Sequence, residues 1–229
     1  MDFTNFFNSN FLYDAALIAI PALLCITIHE LAHGFIAYRL GDNTAKDMGR
    51  LTLNPIKHID PIGLMMILFA GFGWAKPVPV NMNNFKNVRL GMAATSFAGP
   101  ASNIILATVV LLIFFLLPFP YGGYYALMAD KLVASIIFRT ALLSVTLAVF
   151  NMLPIPPLDG SKIFFSLFSQ DFYYKLLRYE RYGMILVILL VLSGRIFNFS
   201  VFEKIVIEPA WFLVRNISTF IEAVIGLFK

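Results

Sequence analysis

A helix that enters lipid with His, Glu and His close together needs something to compensate them, and this chain places that set inside its first apolar run. Within the stretch 11–38, His29-Glu30-Leu31-Ala32-His33 reads H-E-x-x-H. On a helix His29 and His33 leave the same face one turn apart. Both imidazoles can then reach one zinc ion, with Glu30 beside them as the base for the water that the ion activates. Ionisable side chains at lipid depth are costly and mark function by default. The plainer alternative, two core histidines bonded to backbone, leaves the neighbouring carboxylate without a strong partner, which a cation supplies.

The rest of the composition agrees with a membrane setting. Of 229 residues 59% are hydrophobic and 13% charged, and the mean hydropathy is +0.81. A soluble domain is nearer half apolar and a quarter charged, so an integral, multi-pass membrane protein is expected. The net charge of +4 lies in short loops. There it sets topology and meets anionic headgroups of the bilayer, so no nucleic-acid partner is expected. The only cysteine, Cys25, excludes an internal disulfide. It precedes His29 by one helical turn, but Cys25, His29 and His33 would spread about 12 Å along the axis, too far for one tetrahedral ion. Small-residue packing is the better reading of Cys25. Residues 1–10 lack a basic region, so no removable signal peptide is expected.

The expected fold is an all-α polytopic membrane protein. It has three core transmembrane helices, a re-entrant or short β segment, and one or two C-terminal helices. One domain covers 1–229, with its core at 11–160 and the C-terminal helices at 183–228. The first span is expected over 11–40, ended by Gly41 and Asp42, with Pro21 a candidate kink. Residues 50–54 alternate and suggest a short strand stopped by Pro55. Pro61 to Trp74 is apolar but short of the roughly 20 residues that a span needs, which points to a re-entrant or interfacial segment. Lys76, Lys86 and Arg89 follow it, so both of its flanks read as cytoplasmic. The prolines of Lys76-Pro77-Val78-Pro79-Val80-Asn81 predict extended backbone with an open edge. Further spans are expected over 91–117, interrupted around Ala98 to Asn103, and over 131–153. An outer loop joins them over 119–130. Pro154, Pro156 and Pro157 then force irregular backbone near the membrane.

A catalytic zinc takes three protein ligands and keeps one position open. The third candidates are His58, in a polar loop, and a carboxylate. Asp159 is the stronger, because it follows a broken helix at the cytoplasmic end of a span, the depth assigned to His29 and His33. His58 suits a loop-capping or substrate-contacting role better.

These motifs together resemble the site-2 protease family of intramembrane zinc metalloproteases, in its short bacterial and archaeal-type form without PDZ or CBS domains. The resemblance rests on His29 to His33, on Ala98-Gly99-Pro100 with Asn103, and on Asn151 through Leu158-Asp159-Gly160. Gly73 through Asn81 and Leu53-Asn54-Pro55 with His58 and Asp60-Pro61 add to it. It implies one Zn2+ per chain on His29, His33 and Asp159, with Glu30 as the catalytic base. It implies a substrate or oxyanion contact for Asn151 and, with helix packing as the alternative, for Asn103. The implied activity is hydrolysis of peptide bonds in or near transmembrane segments, in regulated intramembrane proteolysis. The partners are then a transmembrane protein or peptide and the lipid of a prokaryotic plasma membrane, with the site towards the cytoplasm. An opened substrate could add as a strand to the edge at Val78, Val80 and Asn81. The rival reading is a metal transporter or a non-catalytic metal-binding membrane protein. No internal repeat supports a transporter, and Glu30 is superfluous for transport.

Overall fold

A computed structural model describes residues 9–70, 73–116, 131–169, 173, 175, 180–196 and 200–227. The chain is mostly helical, and three of its helices are long and apolar enough to cross a membrane: Ala16–Arg39, Val88–Leu116 and Val133–Asn151. The first belongs to α1, Ser9–Arg39. After it come a single turn, α2 (Thr44–Asp47), and a short apolar helix, α3 (Pro61–Ala70). The other two spans are α4, Val88–Leu116, and part of α5, Lys131–Asn151. Beyond them lie α6 (Asp159–Phe165), α7 (Glu180–Ile196) and α8 (Glu208–Gly226).

Helices α1, α4 and α5 each pack on the other two. Lipid tails are as apolar as leucine, so helices in a membrane associate where small residues let backbones approach. That is what the interfaces contain: Ala22, Cys25, Ala107, Ala141, Ser144 and Ala148 are all buried. Cys25 lies wholly inside, its thiol donating to the Thr140 carbonyl at 3.5 Å, in keeping with a packing role. Ala210, Val214 and Ile221 of α8 close one side of this core against Ala107, Leu111, Ala141 and Val145. Bulky apolar side chains of α7, among them Met184, Ile185 and Leu189, are exposed.

Two expectations change here. The 50–54 stretch is a series of bends, and no strand forms among the described residues; the only β contact is an isolated antiparallel bridge between Ile59 and Ala75. Its alternation has no neighbouring chain to pair with, and a lone strand has no ladder to hold it. Second, α4 runs unbroken through Pro100. The ring removes one amide donor, a loss that a membrane helix tolerates when its surroundings take up the freed groups. Likewise α1 continues through the buried Pro21. The outer loop expected at 119–130 lies outside the described residues.

Candidate active site

The helix α1 carries His29 and His33 on the face turned to α4, and their rings meet edge-on with centroids 4.5 Å apart. The Nε2 atoms of both converge on one carboxylate oxygen, Asp159 Oδ2, at 3.1 Å from His29 and 3.2 Å from His33. Donors bound tetrahedrally to one zinc ion by bonds of about 2.1 Å stand about 3.4 Å from one another. One nitrogen from each ring and one carboxylate oxygen, all within 4.8 Å of each other, therefore suit such an ion in spacing and in chemistry. Cys25 and His58 do not join this group. His58 is completely buried in the loop, where its Nε2 meets the Thr52 carbonyl at 2.8 Å and its own carbonyl accepts from Lys76 N–H. These contacts tie the loop to the start of the 76–81 segment.

Asp159 reaches the histidines because the chain turns sharply after α5. The prolines keep 152–158 irregular, and α6 starts at Asp159 with Leu158 as its cap. The following residue must be glycine: a Cβ on Gly160 would sit 2.1 Å from the Met152 carbonyl oxygen. Asn151 ends α5 with its amide donating to the Leu147 carbonyl of its own helix.

A row along α4 seats both imidazoles. Thr95, Gly99 and Asn103 are four residues apart and so share a face. The Thr95 carbonyl lies 2.7 Å from His33 Nδ1. Gly99 gives the rings space: a Cβ there would stand 2.5 Å from His33 Cε1 and Nε2 and 2.6 Å from His29 Cε1. Asn103 is fully buried with its amide 3.2 Å from His29 Nδ1. Its side chain therefore lies against the His29 ring, on the Nδ1 side.

On the other side, an extended strap, residues 76–81, lies along α1. Four ties fix it. Lys76 N–H donates to the His58 carbonyl at 3.0 Å, and Arg50 Nη2 donates to the Lys76 carbonyl at 2.8 Å. Val78 N–H donates to Glu30 Oε2 at 2.7 Å, and Asn81 N–H donates to Asp42 Oδ2 at 2.7 Å. Close approach of the strap again depends on a glycine: a Cβ on Gly34 would meet Val78 Cγ1 at 3.0 Å and Leu51 Cδ2 at 2.7 Å. Burial alone would raise the pKa of Asp42. Donors from the side chains of Thr44 and Asn84 and the amides of Asn81 and Thr44 outweigh it and hold the carboxyl below its ordinary range. Asp42 is thus ionised at neutral pH and clamps the strap as a charged acceptor, the stronger kind of hydrogen bond. Two of the three expected strand-pairing positions are consequently engaged. Val78 and Asn81 give their N–H groups to Glu30 and Asp42, while Val80 N–H has no hydrogen bond to the described residues. Sequence reasoning passed over Arg50, Asp42 as a clamp, and Thr95. In each of these contacts one partner is a backbone group, the Lys76 carbonyl, the Asn81 amide or Thr95's own carbonyl, which no residue pattern advertises.

Paired helix histidines and a carboxylate at metal-binding distance, beside three helices long and apolar enough to cross a membrane, define a candidate membrane metal centre, and comparison supplies its lineage. The model of peptidase family M50 matches residues 120–194. "Putative zinc metalloprotease YwhC" of Bacillus subtilis is 44% identical over 178 residues, covering 77% of this chain and 80% of that protein. "Putative zinc metalloprotease Rip2" of Mycolicibacterium smegmatis is 30% identical over 181 residues, 75% of this chain and 64% of that one. The Rip2 protein of Mycobacterium tuberculosis H37Rv is 34% identical over 142 residues, 60% of this chain and 52% of its own length. No solved structure matches the chain significantly. The chain belongs to peptidase family M50, the site-2 protease family, and is a zinc metalloprotease. Zinc is its metal, and membership of this enzyme family sets the transporter reading aside.

Proposed function

We propose that this chain cleaves transmembrane segments of membrane proteins within the bilayer, as the protease of a regulated intramembrane proteolysis step. His29, His33 and Asp159 hold one zinc ion, and Glu30 is the general base. The observation that carries the reading is the convergence of both Nε2 atoms on Asp159 Oδ2, one residue along α1 from a carboxylate. Bound zinc supplies Lewis acidity, which brings the pKa of a water from about 15.7 towards 7. The carboxylate of Glu30 takes a proton from the attacking water and passes it to the leaving amine. Val78 N–H holds one oxygen of that carboxylate, which fixes its direction and leaves the other oxygen for the proton. The α4 face behind the rings, Thr95, Gly99 and Asn103, is buried, so the electrostatic interactions on that side are stronger than in water.

His33 and His29 lie six and ten residues before Arg39, so roughly 9 and 15 Å from the end of α1. That end is followed by Lys46, Lys57, Lys76 and Lys86, which by the positive-inside rule face the cytoplasm, and the site therefore opens to that side. The re-entrant reading of the α3 region has support. A helix of ten residues rises about 15 Å, half the hydrocarbon thickness. A Cβ on Gly63, in its first turn, would meet the carbonyl of Trp74 at 2.0 Å, so the chain returns to the level at which it left.

Reconstituted in liposomes with a helical membrane substrate, the chain is expected to cleave it, and a zinc chelator to stop cleavage until zinc is restored. Cleavage that is indifferent to chelation would refute the reading. A substrate helix must unwind before its peptide bonds are accessible, and Val80 is the strap position left to pair with the opened segment. Val80→Pro removes that donor without touching the ties at Val78 and Asn81. Cleavage should fall at least about tenfold, one hydrogen bond's worth in a water-poor site, with zinc content unchanged; wild-type cleavage would exclude strand pairing at this N–H.

A further inference from the structure

We propose that Asn103 is a positioning residue for the metal centre: its side-chain oxygen accepts the Nδ1 proton of His29 and so commits Nε2 of that ring to the cation. This rests on the proposed ligand role of His29, His33 and Asp159. The two histidines need the same tautomer. A neutral imidazole has one N–H and one lone pair, and only the nitrogen with the lone pair can bind a metal. Since both Nε2 atoms face Asp159 Oδ2, both Nδ1 atoms must bear the proton.

His33 meets this condition as it stands, with Nδ1 placed to donate to the Thr95 carbonyl at 2.7 Å. His29 does not. The group 3.2 Å from its Nδ1 is the amide nitrogen of Asn103, while Asn103 Oδ1 is buried without a hydrogen-bond partner among the described residues. An N–H opposed to an N–H is repulsive, so this amide orientation belongs to the other tautomer, with the proton on Nε2. That tautomer has no lone pair to offer the cation.

Rotating the amide by half a turn exchanges oxygen and nitrogen without changing the shape of the side chain. The oxygen then stands opposite Nδ1–H, and His29 acquires the acceptor that His33 already has. The NH2 group moves to the position the oxygen now holds. One group of the amide is unpaired either way, so the contact to the ring decides the orientation. Everything else about Asn103 is fixed: the residue is fully buried, and its backbone carbonyl accepts the Ser144 hydroxyl of α5 at 2.8 Å. Thr95 and Asn103, two turns apart on α4, thus set the tautomer of one ligand each.

The probe is zinc itself, measured by competition with a chromophoric chelator on the detergent-solubilised full chain. Loss of such an outer acceptor typically weakens metal affinity about 10- to 100-fold. Asn103→Leu, which keeps the volume and removes the acceptor, is expected to show a loss in that range. Asn103→Asp, whose ionised carboxylate can only accept, should bind zinc as tightly as the wild type or more tightly. Wild-type zinc affinity in the leucine variant would overturn the proposal, as would an aspartate variant as weak as leucine. If Asn103→Leu does not fold, Asn103→Asp decides alone, because an amide needed as a donor predicts loss where an acceptor predicts retention. A wild-type chain that binds no zinc would remove the ligand assignment and this proposal with it, whereas a zinc-binding wild type with an indifferent leucine variant removes only the proposal.

Discussion

Placing alanine at Gly99 is expected to cost the chain its metal. The added Cβ would stand 2.5 Å from Cε1 and Nε2 of His33 and 2.6 Å from Cε1 of His29. Neither ring has an easy retreat. His33 is held by the Thr95 carbonyl and His29 lies against Asn103, so relief comes from turning the rings off these partners or from pushing α4 away from α1. The first response disperses the ligands and the second opens a buried interface. Overpacking of this kind costs about 1–3 kcal/mol, and ligand misorientation should weaken zinc binding by at least about tenfold. Zinc per chain by mass spectrometry, with thermal unfolding in detergent, reads both. An alanine variant with one tightly held zinc would show that α4 does not seat the histidines.

Glu30→Gln should have the opposite signature. Glutamine has the same shape, and its carbonyl can still accept from Val78 N–H, so the strap keeps its place against α1. What is lost is the ability to take a proton. Positioned acid–base groups contribute about 10²- to 10⁴-fold, and cleavage of a membrane-embedded helix is expected to fall by that factor with zinc still at one per chain. Cleavage within about fivefold of wild type would deny Glu30 the role of base. Loss of zinc in this variant would instead make Glu30 a ligand.

Much of the site was legible because its chemistry sits in side chains with fixed spacing. His29 and His33 declare a shared helix face, and the prolines before Asp159 declare a broken helix at the same depth. The apolar runs gave the three spans to within a few residues, since hydropathy at membrane length has few competing explanations. The supporting shell was less legible, for a physical reason. Thr95 acts through its carbonyl and Val78 through its N–H, groups that every residue or nearly every residue carries. Asp42 looked like a helix stop after Gly41, and only the folded chain brings Asn81 and Asn84 to it. The expected break at Ala98 to Asn103 failed because a proline inside a membrane helix removes one donor, and burial against α1 and α5 holds the helix together around it. The strand expected at 50–54 failed because alternation identifies a strand only where a partner strand exists.

X-ray absorption at the zinc edge of the purified, metal-loaded chain tests the coordination sphere itself. Two imidazole nitrogens at about 2.0–2.1 Å and oxygen ligands at about 2.0–2.2 Å, with no sulfur, are predicted. A zinc–sulfur distance near 2.3 Å, or scattering from fewer than two imidazoles, would contradict a centre built from His29, His33 and Asp159.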